Sequence, residues 1–173
     1  MKKNIFYLII LLFFTFIFTI FYIGLDKPNF YTPKEIKNKS LEEFTSTELF
    51  SNEQFSSNDI IENNKFTLIN IWSSWCVPCR LEHSVLMDLS EKTDLNIVGL
   101  NYKDKKNNAI KFLNELGNPF SKILTDPDGI ISISLGAYGV PETLLLNNKS
   151  KIIRKYIGPL TNKNILEIIK IIK

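Results

Sequence analysis

Residues 5–25 form an apolar run of 21 positions without a charge. A helix rising about 1.5 Å per residue would extend about 30 Å over that run, the thickness of bilayer hydrocarbon. Tyr7 and Tyr22 stand near its two ends, where amphipathic rings settle at the membrane interface. Residues 26–40 are polar and carry Pro28 and Pro33, which predicts a tether. Residues 41–44 and 48–50 predict short strands, and 57–61 a short helix or turn. From Lys65 the pattern sharpens. Phe66–Trp72 is a short apolar run suited to a strand covered on both faces. Leu81, Val85, Leu86 and Leu89 then recur at helical spacing between Cys76 and Glu91. Residues 95–100 predict a second buried strand. Residues 105–116 predict an amphipathic helix with Ala109, Phe112, Leu113 and Leu116 on one face and Gly117 as its stop. A short strand at 123–124 ends in the turn signal Thr125-Asp126-Pro127-Asp128-Gly129. Residues 130–135 fit a strand by their β-branching and either element by their length. Residues 143–146 and 151–156 flank Asn147-Asn148-Lys149-Ser150 and predict an antiparallel hairpin. Thr161 opens a last helix with Ile165, Ile168, Ile169 and Ile172 on one face.

The order is strand, helix, strand, helix, hairpin, helix. A parallel βαβ unit joined to an antiparallel hairpin predicts an α/β fold, a mixed central sheet with helices on both faces. The 173 residues suffice for one such domain plus an appendage. Lys2 and Lys3 precede the apolar run and favour a cytoplasmic N-terminus. The expected division is 1–4 cytoplasmic, 5–25 transmembrane, 26–40 linker and 41–173 a globular domain outside the cytoplasm. A cleaved signal peptide is the alternative. It would carry a shorter apolar stretch and small residues at the cleavage site, whereas no alanine precedes Ala109. A retained anchor is the expectation.

The net charge is +3 and the lysines are scattered. No basic stripe alternates with aromatics, so nucleic acid is not an expected partner. The chain has two cysteines and one histidine, His83, too few ligands for a zinc site and too few thiols for a disulfide framework.

The two cysteines stand three positions apart, in Trp72-Ser73-Ser74-Trp75-Cys76-Val77-Pro78-Cys79, between a predicted strand and a predicted helix. A dithiol on a strand-to-helix turn is suited to thiol–disulfide exchange. Unpaired N–H groups and the positive end of the helix dipole favour thiolate over thiol at the first sulfur, and the thiolate is the attacking form. Cys76 is the expected nucleophile, first on the helix and the more exposed. Cys79, one turn further in, would attack Cys76 to release the reduced target. Pro78 lies in the first turn, where its missing N–H costs little.

Trp75-Cys76-Val77-Pro78-Cys79-Arg80 after a buried strand resembles the thioredoxin-like superfamily. Further segments, in the same order, narrow the resemblance: Arg80-Leu81-Glu82-His83, Gly99-Leu100-Asn101-Tyr102-Lys103-Asp104, Leu116-Gly117-Asn118-Pro119-Phe120 and Gly136-Ala137-Tyr138-Gly139-Val140-Pro141-Glu142-Thr143. Over roughly residues 40–173, and in its N-terminal anchor, the chain is similar to the membrane-anchored thiol–disulfide reductases of cytochrome c maturation, the CcmG/DsbE family. That resemblance implies a thioredoxin-like fold and a single-pass protein of the inner membrane facing the periplasm. It implies a reductant that receives electrons from a membrane dithiol donor and passes them to apocytochrome c or to a thiol protein of the maturation machinery. No cofactor is expected, haem included, and the expected state is a monomer.

The resemblance also places residues. The bond between Val140 and Pro141 would be cis and face the dithiol, offering a strand-like edge to a substrate peptide. Trp75, Pro78, Tyr138, Val140 and Pro141 would form the docking surface. Glu82 and Glu142 are the candidate acids, expected to raise a cysteine pKa or to carry a proton. Asn70 occupies a position where many thioredoxins carry a buried Asp, and an amide cannot act as a base. Trp72 and His83 are expected to be packing residues, and Arg80 an exposed charge. Two further readings stand beside this one: an extracytoplasmic disulfide oxidase or isomerase, and a tethered module that docks apocytochromes without redox turnover.

Overall fold

The computed structural model describes residues 2–25, 39–61 and 64–173; of the linker expected at 26–40, residues 26–38 lie outside them. Two units are distinct, residues 1–34 and 35–173. In the first, α1 (Lys2–Leu25) is one unbroken helix, and its stretch Lys3–Ile23 is long and apolar enough to cross a bilayer. In the second, the elements run β1 (Thr45–Thr47), β2 (Gln54–Ser56), α2 (Ser57–Ile61), β3 (Phe66–Trp72), α3 (Val77–Lys92), β4 (Asn96–Tyr102), α4 (Lys106–Leu116), β5 (Lys122–Asp126), α5 (Ile130–Ser134), β6 (Glu142–Asn147), β7 (Ile152–Ile157) and α6 (Asn162–Ile172).

Five strands make one sheet in the order β5-β4-β3-β6-β7. β3, β4 and β5 are parallel, while β6 and β7 join antiparallel. Strand alternation sorts the core into two layers. Leu68, Trp72, Ile97, Ile123 and Leu145 face Leu86, Leu89, Phe112, Leu113 and Ile168 of α3, α4 and α6. Ile69, Ile71, Val98, Leu100, Leu124 and Leu144 face the other way, against Ile60 and Ile61 of α2, Ile131 of α5 and Leu135 just beyond it. The mixed sheet with helices on both faces is as the pattern predicts.

Three local expectations change. The strands expected at 41–44 and 48–50 lie at β1 and β2 instead, because residue 48 turns the chain. The Glu48 carboxylate accepts from the N–H groups of Phe50 and Ser51 at 2.7 and 2.6 Å. Residues 130–135, open between strand and helix, begin with helix α5, because buried Asp126 accepts from the N–H groups of Ile131 and Ser132 and so serves the orphan donors of its first turn. Lys39 and Ser40, read as the end of the linker, already belong to the domain: Ser40 bridges Lys151, and Lys39 O accepts from Ile152 N at 3.0 Å.

Gly99 sits on β4 beneath an aromatic wall. A Cβ there would stand 2.8 Å from Trp72 Nε1 and 3.0 Å from the Phe120 ring. Trp72 stacks on Phe120 at 5.6 Å and meets Phe112 at 5.0 Å. This wall supports the strand from which the dithiol loop departs.

Candidate functional site

The dithiol lies just beyond the C-terminal end of β3, where open α/β sheets present their sites. Cys76 and Cys79 are joined by a disulfide. Cys76 is the N-cap of α3 and the helix proper begins at Val77, so Cys76 stands one position ahead of the expected helix start. Its Sγ accepts from the Cys79 N–H at 3.1 Å. A serine or aspartate oxygen holds a helix end in the same way; here the acceptor is sulfur, and the same donor would favour a thiolate. Cys76 is 4% exposed and Cys79 1%, so both are buried and Cys76 is the more accessible of the two. Around them Trp75, Val77, Pro78 and Leu81 are exposed.

A second loop fixes the approach to Cys76. Asp104, beyond β4, receives four donors: Ser74 N at 2.6 Å, Ser74 Oγ at 2.8 Å, Asn101 Nδ2 at 3.1 Å and Lys105 N at 2.8 Å. Lys103 O accepts from Trp75 Nε1 at 3.0 Å, with Lys103 at a φ of 44°. The Trp75 ring therefore stands out from the surface without being free to swing. Asp104 was not singled out from the sequence. Its signal was its place just ahead of a helix, where aspartate ordinarily caps. Asp104→Ala should cost about 2 kcal/mol, because charge-assisted bonds on a partly buried loop are lost together. Denaturant midpoints of the two proteins measure it, and Asp104→Asn should lose less.

The segment from Gly136 to Pro141 leads into β6, which pairs with β3 so that Glu142 lies opposite Ile71. Val140–Pro141 is cis, and Pro141 O accepts from Gly158 N at 2.9 Å. Tyr138 is exposed, Val140 half-buried and Pro141 buried.

The two candidate acids are buried, not solvated, and the structure does not bring them together. Asn70 and Thr143 sit opposite each other on β3 and β6, and Asn70 Nδ2 donates to Thr143 Oγ1 at 3.0 Å and to Glu82 Oε1 at 2.9 Å. Glu82 Oε2 accepts from Leu160 N at 2.6 Å. Glu82 thus lies on the α3 face of the sheet, one turn beyond Cys79. Burial pushes its carboxyl above the ordinary carboxylate range, against the lowering effect of the bonds from Leu160 and Asn70. Glu142 neighbours Thr143 on β6, so its side chain points to the opposite face. There it meets Lys155, Oε2 to Nζ at 2.7 Å. Lys155 too escaped the sequence reading, since a lysine in a hairpin strand ordinarily faces solvent.

Trp72 and His83 are packing residues, as expected. The His83 ring meets Phe112 edge-on at 4.9 Å, and burial holds its pKa below the usual histidine range. Its Nε2 lies 3.0 Å from Gly117 O; a carbonyl only accepts, so the proton is on Nε2. Arg80 is exposed and directs its guanidinium to Glu115 at 3.3 Å and over the Phe112 ring.

The Redoxin family model matches residues 36–169. Among curated relatives, the thiol:disulfide interchange protein CycY of Rhizobium leguminosarum bv. viciae is 48% identical over 103 residues, 60% of this chain and 55% of that protein. The DsbE-2 thiol:disulfide interchange protein of Pasteurella multocida is 34% identical over 160 residues, 92% of this chain and 84% of that protein. DsbE of Escherichia coli is 42% identical over 101 residues, 58% of this chain. The chain thus spans about half the length of the Rhizobium and Escherichia relatives, 55% and 54%. Among solved structures, a thiol:disulfide interchange protein DsbE from Chlorobium tepidum superposes with a TM-score of 0.68 at 22% identity, over 79% of this chain and 98% of that one. A DsbF homologue from Corynebacterium diphtheriae gives 0.68 at 25% identity, over 83% and 95%.

Proposed function

Because the chain belongs to the Redoxin family and is a thiol–disulfide oxidoreductase of thioredoxin-like fold, we propose that it reduces protein disulfides in the periplasm during c-type cytochrome maturation. The observation that carries this reading is the Cys76–Cys79 pair at the N-terminus of α3, just beyond the end of β3, with Trp75 exposed beside it.

The reduced protein starts with both cysteines as thiols. The Cys76 thiolate attacks one sulfur of the target disulfide. The target S–S bond breaks, a mixed disulfide forms on Cys76, and the departing sulfur takes up a proton. Cys79, after losing its own proton, attacks Cys76 Sγ and expels the second target thiol. Two electrons have left the protein, which now holds the Cys76–Cys79 disulfide seen in this structure. A membrane dithiol donor closes the cycle by reducing that disulfide. Glu82 is the proton acceptor for Cys79: it lies one turn away on the same helix, and burial, which raises its pKa, makes its carboxylate the stronger base. Trp75, Pro78, Tyr138, Val140 and Pro141 hold the target.

We place α1 as the anchor, with Lys2 and Lys3 in the cytoplasm and the remaining chain outside it. This rests on the charge-free run of α1 and on the positive-inside tendency.

The test is trapping. Cys79→Ser removes the resolving thiol, so the mixed disulfide on Cys76 should accumulate with apocytochrome c or a thiol protein of its maturation. Capture of neither would overturn the maturation role. Equilibration of the wild-type couple with glutathione checks the direction, since a strongly oxidising couple would overturn a reductant.

A further inference from the structure

We propose that Lys155 is a positioning residue of the docking surface: through Glu142 it fixes the segment Gly136–Pro141 in the shape that receives the target. This rests on the reading that cis-Pro141 and its neighbours hold the incoming disulfide. It assigns Glu142 a different task from the proton chemistry expected of it.

The geometry is that of a latch across two strands. Glu142 opposes Ile157, and Leu144 opposes Lys155, in the β6–β7 ladder. Glu142 and Lys155 are therefore diagonal neighbours on one face, within reach of each other's long side chains. The ammonium is gripped at three points: Glu142 Oε2 at 2.7 Å, Gly136 O at 2.7 Å and the Tyr138 ring at 4.9 Å. The carboxylate is gripped from the other side. Its Oε1 accepts from Tyr138 N at 2.7 Å and Gly139 N at 3.2 Å. One ion pair thus fixes the carbonyl, the aromatic ring and two amides of the six residues that end in the cis bond.

The side chains involved are 10% exposed for Lys155 and 2% for Glu142. A charge buried that deeply needs its partner, so either residue alone would be a liability. Together they are rigid, and rigidity is what a docking edge requires, since a surface ordered beforehand loses less freedom on binding. Glu142 is spent on this pair and on two backbone amides, and it points to the face opposite Glu82. A proton carrier for the dithiol would need access to the sulfur; this carboxylate is instead tied to an ammonium.

The test uses the full chain in detergent, reduced, mixed with an oxidised peptide carrying a Cys-Xaa-Xaa-Cys disulfide. Quenched alkylation reads the rate against peptide concentration and pH. Lys155→Met should raise the half-saturating peptide concentration about tenfold, more than it lowers the limiting rate, because a docking edge is displaced. The inflections of the pH profile should stay in place, and Lys155→Arg should restore binding. The doubly neutral variant Glu142→Gln/Lys155→Met buries no lone charge and keeps the test open if Lys155→Met unfolds. Its half-saturation should match that of Lys155→Met, since the pair acts as a unit. An unchanged half-saturation in every folded variant, or a pH profile displaced in the double variant, overturns the latch. Failure of the wild type to reduce the peptide at all would instead overturn the docking reading beneath it.

Discussion

Cys76→Ser is expected to abolish interchange, lowering the rate at least about 10⁴-fold, whereas Cys79→Ser will react once and stop. A thiol with a pKa near about 8.5 supplies some thiolate at neutral pH even before the helix acts on it, and a serine hydroxyl supplies essentially no alkoxide. The local structure enlarges the difference. The N-cap position directs the Cys79 N–H at Cys76 Sγ, 3.1 Å away, and a donor so placed favours the anion. The asymmetry between the sulfurs follows from burial. Cys79 is 1% exposed against 4% for Cys76 and lies within α3, so Cys76 is the sulfur expected to meet a protein disulfide first. Reduced wild type and both variants, mixed with an oxidised peptide and quenched with an alkylating reagent, separate the roles: free thiols for Cys76→Ser, a mixed disulfide for Cys79→Ser, an intramolecular disulfide for wild type. Residual turnover by Cys76→Ser above a tenth of wild type would mean that Cys79 attacks directly, and the assignment of nucleophile would be reversed.

What could be read in the sequence was what is local or periodic. β3 stood out as a continuous apolar run because both of its faces are covered. The dithiol turn stood out because its spacing and its Pro78 lie within one helical turn. α6 was legible from its isoleucine spacing and from Thr161, whose side chain caps the helix together with Asn164. The contacts that hold the site are the opposite kind. Asp104 reaches Ser74 across 30 residues, and Glu82 reaches Leu160 across 78. No window of sequence contains either pair. Glu142 and Lys155 belong to a hairpin whose register shifts between Leu145 and Leu146, so alternation counted from the turn misplaces the lysine. Residues 130–135 were undecidable for a related reason: their isoleucines suit a strand, and only Asp126, capping from the preceding strand, makes them a helix. The cis bond before Pro141 came from resemblance alone, since nothing in the dipeptide Val-Pro favours cis strongly.

Glu82→Gln is expected to slow resolution of the mixed disulfide about a hundredfold at neutral pH, the contribution typical of a positioned base, and to change how stability depends on pH. Cys79 must lose a proton before it can attack Cys76. Glu82, at i+3 on the same helix, is a side-chain neighbour of Cys79, and neither Asn70 nor Thr143, the polar side chains bonded beside it, has a basic site. Glutamine keeps the size and an acceptor oxygen for Leu160 but takes no proton. The thermodynamic sign follows from burial. The carboxyl pKa is higher in the folded protein than in the unfolded chain, so between the two values the folded state holds more protons. The stability tied to protonated Glu82 is therefore fully present below the unfolded pKa and is lost as pH rises through the folded one. Glutamine cannot titrate, so Glu82→Gln should escape that loss and gain on wild type from mildly acidic pH upward, whatever fixed cost the altered hydrogen bonds impose. Denaturant unfolding of both proteins across this range, beside quenched resolution of a mixed disulfide formed on Cys76, measures the two effects independently. A stability difference that stays constant with pH would show that Glu82 does not titrate as its burial requires. A resolution rate equal to wild type would remove it from the proton path and leave Cys79 to lose its proton to water.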